Sequence, residues 1–153
     1  MTRLKIDIES KLNAVSQLGM TVHSACEAFG LPEEMRFRIQ TAVVEAASNA
    51  VRHAYDHAPD QAVTFTMEIH EGRVELEVID SGKPMPPQQA EVLRHGSNVL
   101  DFDETDIEAL PEGGLGLEII HRSMDNVNYT SNNGINRIHM MTTAREEEET
   151  ART

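Results

Sequence analysis

The sequence has little cysteine, few aromatic residues and no long apolar run, and each shortage excludes a class of protein. The single cysteine, Cys26, excludes an internal disulfide and a zinc site built on several thiolates. Cys26 is predicted to be a small buried helix residue in a protein of the reducing cytoplasm. No stretch approaches the roughly 18 consecutive apolar residues of a membrane span, and the N-terminus lacks the apolar segment of a secretory signal.

Basic residues are also scarce, since 13 lysines and arginines face 26 acidic residues and the formal net charge is -13. Because a nucleic-acid backbone attracts a basic surface, no direct nucleic-acid partner is expected. A basic protein partner and a merely solvated acidic surface both remain open. We expect one domain over residues 1–143 and an acidic, disordered tail over residues 144–153.

The spacing of apolar residues predicts an α+β fold. Three- and four-residue steps predict helices over about 11–29, about 32–54 and about 115–124, and alternation predicts strands over 4–8, 62–70, 73–80 and two more in a hairpin over 126–142. Residues 81–112 show no sustained period and are interpreted as a long functional or mobile loop. This order predicts a two-layer sandwich, with a mostly antiparallel sheet and helices on one face.

The second predicted helix carries a polar stripe. Glu45, Asn49 and His53 lie four residues apart and therefore share one helix face. Alanines and valines surround them, so the stripe either lines a site or is a solvated face.

Two further segments place candidate ligand-binding residues at the boundary of a predicted strand or helix. Asp80 ends a predicted strand and is followed by Gly82, which is consistent with ligand binding or with a plain Asp-Ser-Gly turn. Gly113, Gly114 and Gly116 precede a predicted helix, a pattern typical of a phosphate loop but also of a simple loop-to-helix junction.

Taken in order, these segments resemble the ATP-binding GHKL superfamily (the Bergerat-type fold), and within it the anti-sigma-factor serine/threonine kinases. Glu45-Ala-Ala-Ser-Asn49-Ala resembles the first box of that family, Asp80-Ser-Gly82 the second and Gly113-Gly114-Leu115-Gly116-Leu117 the third. The resemblance covers about residues 5 to 143.

The resemblance implies a role for each of these residues. Asn49 would be the protein ligand to Mg²⁺, Asp80 would accept the adenine amino group, and Gly82 would give the ring room. The stretch Gly113, Gly114, Leu115, Gly116 and Leu117 would bind the phosphates of ATP, and residues 83 to 112 would form a lid. Glu45 would be the general base.

Three lid residues could neutralise phosphate charge, Lys83, Arg94 and His95, although each is also explained as a surface residue. Arg52 and His53 are expected to support their helix rather than touch nucleotide. Family members often carry a threonine after the glycine of the last hairpin, where this chain has Ile135 and Asn136, so whether Asn136 takes that place stays open.

The resemblance implies that the protein would be a cytoplasmic anti-sigma factor. It would use Mg-ATP to phosphorylate an anti-anti-sigma (STAS-type) antagonist and would alternatively hold a sigma factor. A homodimer is compatible with this assignment. The alternative is a non-catalytic ATP-binding regulatory module of the same fold that binds sigma or phosphatase partners.

Overall fold

The computed structural model describes residues 1–97 and 114–145, which form a sheet and four α-helices. The strands are β1 (Thr2–Glu9), β2 (Ala62–His70), β3 (Arg73–Asp80), β4 (Asn126–Asn132) and β5 (Ile135–Thr143). The helices are α1 (Leu12–Ala28), α2 (Glu33–Asn49), α3 (Pro87–His95) and α4 (Gly114–Ser123), and a π-helical turn, Ala50–Ala54, continues α2. From residue 146 on, the predicted acidic tail lies outside the described residues.

The five strands form one sheet in the order β1-β2-β3-β5-β4, and every neighbouring pair is antiparallel. Alternation along each strand sends apolar side chains to one face, where the helices pack, and polar side chains to the other. The register keeps the apolar residues aligned, since Phe65 pairs with Val78 and Val78 pairs with Ile138. The predicted two-layer α+β sandwich is therefore confirmed.

The core lies between the sheet and the four helices, with α3 contributing two residues to it. Cys26 is fully buried there, as predicted, beside the sulfur of Met67. Burial also raises the pKa of its thiol to about 11, so the thiol stays protonated and unreactive at neutral pH. The apolar stripe of α2 and its π-helical extension is buried as well; it consists of Ile39, Val43, Ala46, Ala50 and Ala54.

The interpretation of residues 81–112 as a loop without secondary structure is wrong for its first part. Residues 87–95 form α3, which buries Ala90 and Leu93 and begins directly after Pro86. A helix this short places only two apolar residues in the core, which is too few to produce a readable period. Residues 98–113 lie outside the described residues.

The second predicted helix also differs at its end. Its α-helical part stops at Asn49, and Ala50–Ala54 follow in π-helical geometry, in which the N–H of Tyr55 donates to the carbonyl of Ala50. A π turn widens the helix by one residue, and such turns are frequent at functional sites. This turn carries Arg52 and His53, and its last carbonyl, that of Ala54, is used outside the helix.

Candidate functional site

Two adjoining cavities lie at one end of the sheet, between α2 and the segments that follow β3. The larger, of about 240 Å³, is lined by Asn49, His53, Ala54, Asp80, Lys83, Pro84, Met85, Pro86, Gln89, Tyr129 and Ile138. The smaller, of about 80 Å³, is lined by Glu45, Ser48, Asn49, Arg52, His53, Gly116 and Leu117. Because Asn49 and His53 line both, the two cavities form one continuous site with two ends.

The polar stripe of Glu45, Asn49 and His53 lines these two cavities. Glu45 and Asn49 are half-buried, lie one helical turn apart and both line the smaller cavity. Within residues 1–97 and 114–145, neither side chain has a hydrogen-bond or ion-pair partner. Their oxygen and nitrogen atoms are therefore available to a ligand at the surface of the cavity.

The first turns of α4 form the opposite wall of the smaller cavity. Gly116 and Leu117 line it, and a Cβ atom added to Gly116 would lie 2.6 Å from Oε2 of Glu45. Gly116 therefore leaves the space that the Glu45 carboxylate occupies. The N-terminus of α4 brings unpaired N–H groups and a partial positive charge to this wall.

The other predicted members of the glycine-rich segment are placed less directly. Leu115 is 40% exposed and does not line either cavity, whereas Leu117 is buried beneath the smaller one. Gly114 is the first residue of α4. Gly113 lies outside the described residues.

Asp80 is at the other end of the site, in the wall of the larger cavity. Its Oδ1 atom accepts hydrogen bonds from the N–H of Gly82, at 2.9 Å, and from Nδ2 of Asn136, at 2.7 Å. Burial raises the pKa of the Asp80 carboxyl above its ordinary value, and these two hydrogen bonds oppose that rise. Asp80 thus has one oxygen occupied by the protein and the other without a protein donor among the described residues.

The turn after Asp80 is fastened to the end of the α2 extension. The N–H of Lys83 donates to the carbonyl of Ala54 at 2.8 Å, and the N–H of Ser81 donates to the hydroxyl of Tyr55 at 2.8 Å. A Cβ atom on Gly82 would overlap the Ala54 carbonyl. Gly82 is thus needed for close packing of this turn against the π-helical end, in addition to any room it leaves for a ligand.

Several residues that line the site were missed or set aside by sequence reasoning, among them two basic residues and one tyrosine. Arg52 and His53, expected only to support the helix, both line the smaller cavity. Tyr129 of β4 lines the larger one, and its hydroxyl accepts a hydrogen bond from the N–H of Met85 at 2.7 Å. A lone tyrosine in an alternating strand gives no sequence signal for this role.

The three basic candidates of the lid have different surroundings in the structure. Lys83 lines the larger cavity. Arg94 instead donates to the carbonyl of Tyr129 at 2.8 Å and to Oδ1 of Asn128, so it fastens α3 to β4. His95 is exposed near Glu91 and lines neither cavity of the site.

Known proteins share this family and this fold. Residues 8–142 match the histidine kinase-like ATPase domain, so the chain belongs to that family. Within it, the chain is 30% identical to the serine-protein kinase RsbW of Bacillus pumilus over 135 residues, which cover 86% of this chain and 80% of that protein. It is 29% identical to the RsbW protein of Halalkalibacterium halodurans, over 86% of this chain and 78% of that one.

Two solved structures share the fold at low sequence identity. The RsbU and RsbW domains of a Mycobacterium tuberculosis protein align with a TM-score of 0.64 and 16% identity, over 94% of this chain and 32% of that one. The SiaB–SiaC complex from Pseudomonas aeruginosa aligns with a TM-score of 0.62 and 13% identity, over 90% of this chain and 88% of that one. In residues 1–97 and 114–145, no helix combines the length and apolar character needed to cross a membrane.

Proposed function

We propose that this protein is an anti-sigma factor and a serine/threonine kinase that transfers the γ-phosphoryl group of Mg-ATP to an anti-anti-sigma antagonist. The observation that carries the proposal is that two cavities with different polar groups join in one site. Asp80 lines the larger cavity, which has both polar and apolar walls, and the unpartnered Glu45 and Asn49 line the smaller cavity beside the start of α4. The membership of the histidine kinase-like ATPase family supports nucleotide as the ligand.

The larger cavity has the chemistry that a purine requires. Ala54, Met85 and Ile138 supply apolar surface, and Asp80 supplies a carboxylate acceptor at its edge. A carboxylate accepts a hydrogen bond from the exocyclic amino group of adenine, which guanine lacks at the equivalent position. Adenine is therefore the base that we assign to this end.

The smaller cavity has the chemistry that phosphates and Mg²⁺ require. The N-terminus of α4 favours phosphate charge, and Arg52 and His53 add cationic or donor groups. Asn49 offers an amide oxygen, which suits Mg²⁺ because this ion keeps most of its waters and takes few protein ligands. When bound, Mg²⁺ would offset the charge of the phosphate oxygens.

Glu45 is the residue to which we assign proton transfer. In the proposed reaction, the serine oxygen of the antagonist forms a bond to the γ-phosphorus, and the bond between that phosphorus and the oxygen bridging to the β-phosphate breaks. ADP leaves with the bridging oxygen, and the hydroxyl proton passes to Glu45. The carboxylate is suited to this step because the described residues give it no competing donor.

The partners follow from the same proposal. The antagonist is the phosphate acceptor, and a sigma factor would be the protein held when the antagonist is phosphorylated. The solved SiaB–SiaC complex is an assembly of two proteins and shares this fold, which supports a protein partner. The acidic surface of the chain suits a basic partner surface, and a homodimer of this chain is part of the proposal.

The test is phosphate transfer from γ-labelled ATP to purified STAS-domain proteins of the source organism, with and without Mg²⁺. We expect label on a serine or threonine of one of them, and none when Mg²⁺ is chelated. ATP at 100 times its Kd should also stabilise the native state by about 2.7 kcal/mol, visible as a higher Tm. ATP binding without transfer to any such protein would instead support the non-catalytic regulatory module.

A further inference from the structure

Asn136 is a buried amide that is hydrogen-bonded to Asp80, a residue of the larger cavity. It is the second residue of β5, it pairs in register with Asp80 of β3, and only 2% of it is exposed. A buried amide must be hydrogen-bonded to avoid a large desolvation cost, so its partners define its role.

The surroundings of Asn136 determine the orientation of its amide group. Nδ2 lies 2.7 Å from Oδ1 of Asp80 and 3.0 Å from the carbonyl oxygen of Gly82. The carbonyl oxygen can only accept a hydrogen bond, and so can the carboxylate when it is ionised. The amide must therefore direct its NH₂ group to them. Its Oδ1 atom accepts a hydrogen bond from the hydroxyl of Ser131, at 2.7 Å.

This arrangement uses up one oxygen of Asp80. Oδ1 receives the Asn136 amide and the Gly82 N–H, and the described residues offer no donor to Oδ2. The carboxylate is therefore fixed in one orientation, with Oδ2 alone left for a ligand. The two N–H bonds of Asn136 are also used, on Asp80 and Gly82, so this amide has no donor left for a carbonyl on the ligand.

We propose that Asn136, held by Ser131, is the positioning residue that orients Asp80 and makes the site select a base with an amino group over one with a carbonyl at the same edge. This inference rests on the proposed function, because it concerns the base of the nucleotide. A guanine base would place its O6 carbonyl against Oδ2, with no donor from Asn136 to compensate. Asn136 and Ser131 both belong to the final β-hairpin, so this hairpin contributes to the preference for ATP over GTP.

Asn136→Asp tests this role because it replaces the amide with a second carboxylate beside Asp80. Two carboxylates at hydrogen-bond distance cannot both remain ionised without cost, and they share a proton. At pH 8 the variant should bind ATP about tenfold or more weakly, since the orientation of Asp80 is lost. At pH 6 part of the affinity should return, because a shared proton restores a donor to Oδ1.

The measurement is titration calorimetry with Mg-ATP and Mg-GTP at pH 6 and pH 8. Wild type, Asn136→Asp and Ser131→Ala are compared, with Asn132→Ala, an exposed neighbour, as the matched control. Thermal unfolding of each variant identifies any that fail to fold. Ser131→Ala keeps the amide but frees its Oδ1 atom, so we expect a smaller loss of ATP affinity, about two- to fivefold, and a lower ATP-to-GTP preference.

Other titratable groups at the site are the same in every variant, so they do not affect the comparison between variants. His53 and Lys83 line the same cavity as Asp80, and both are present in every variant. Arg137, next to Asn136, is paired with Glu77 on the opposite face of the sheet. Only the difference between each variant and the wild type at the same pH is therefore interpreted.

The outcomes separate this inference from the proposed function. A pH-dependent loss of ATP affinity and a reduced ATP-to-GTP preference in Asn136→Asp support it. Wild-type ATP affinity and preference in both Asn136→Asp and Ser131→Ala would overturn it while leaving the kinase proposal intact. Failure of the wild-type chain to bind ATP at all would overturn both.

Discussion

The two ends of the site are built in opposite ways. At the Asp80 end, the turn after β3 is fastened to the carbonyl of Ala54, to Tyr55 and to Asn136, so the turn and the orientation of the Asp80 carboxylate are fixed before any ligand arrives. At the Glu45 end, the carboxylate and the amide of Asn49 have no partner among the described residues. The first end is pre-organised by the fold, whereas the second keeps its polar groups available.

This difference is consistent with two tasks. Recognition of a rigid base gains from an acceptor fixed in advance, because the cost of ordering it was met on folding. Phosphoryl transfer instead needs groups that bind Mg²⁺, phosphate oxygens and a second substrate in turn. We therefore expect changes at the Asp80 end to affect affinity and stability, and changes at the Glu45 end to affect the chemical step.

Glu45→Gln should give the largest effect. The amide keeps the size of the side chain but cannot accept the serine proton, so we expect transfer to the antagonist to fall by about 10²- to 10⁴-fold. Mg-ATP affinity should stay within a few-fold of wild type. Single-turnover transfer and calorimetry measure the two quantities.

The matched control is Glu34→Gln, on the exposed first turn of the same helix. It should leave both quantities unchanged. If Glu45→Gln transfers phosphate at the wild-type rate, Glu45 is not the general base. The assignment of the chemical step to the Glu45 end of the site would then be wrong.

Asp80→Asn should give the next largest effect, on affinity. Loss of the charged acceptor is expected to weaken ATP binding by about 10- to 100-fold, since hydrogen bonds to charged groups contribute roughly 1.5–3 kcal/mol. The transfer rate at saturating ATP should change much less. Asp56→Asn, on the exposed segment after the π turn, serves as control for the loss of one charge. A variant in which the rate falls but affinity holds would reverse our assignment of the two ends.

Two glycine-to-alanine substitutions should differ in their effect on stability, because one new methyl group meets backbone atoms and the other meets a side chain. In Gly82→Ala the new methyl group overlaps the Ala54 carbonyl, which cannot move away, so we expect a stability loss of about 1–3 kcal/mol and a lower Tm. In Gly116→Ala the new methyl group meets only the flexible end of Glu45, so Tm should hold while transfer falls. Thermal unfolding and the transfer assay distinguish the pair. Equal Tm values for both would count against the rigid Asp80 turn.

The pH dependence at Asp80 should be the smallest effect. Because burial raises its pKa in the folded protein, the folded state binds this proton more tightly than the unfolded state. The contribution of Asp80 to stability should therefore grow as the pH falls through the raised pKa. ATP affinity should change in the opposite sense, because a protonated Asp80 is a poorer acceptor for the adenine amino group.

The check is calorimetry from pH 8 downward, for as long as the protein stays folded, on wild type and Asp80→Asn, in a His53→Gln background that removes the imidazole lining the same cavity. The affinity of the wild type should decline with falling pH more steeply than that of the variant. Parallel curves would show that Asp80 does not titrate in contact with the ligand.

Much of the fold could be read from local patterns. Alternation at Val63, Phe65 and Met67 is a direct consequence of one buried sheet face, and the Asn133–Gly134 pair has the positive φ angles that its tight hairpin requires. Helix α3 could not be read, because its two buried residues contribute too little signal. The π-helical turn could not be read either, because the apolar residues Ala50 and Ala54 are four positions apart, as in an ordinary α-helix.

The sequence by itself determined the order of elements, the apolar faces and the positions of Glu45, Asn49 and Asp80 along them, because periodicity and element ends are local properties. Only the tertiary structure decided what surrounds those residues. Asn136 is 56 positions from Asp80 along the chain, and strand pairing places the two in register. Gly116 is likewise brought against Glu45 by helix packing. Contacts of this kind depend on the packing of distant elements, and no local pattern encodes them.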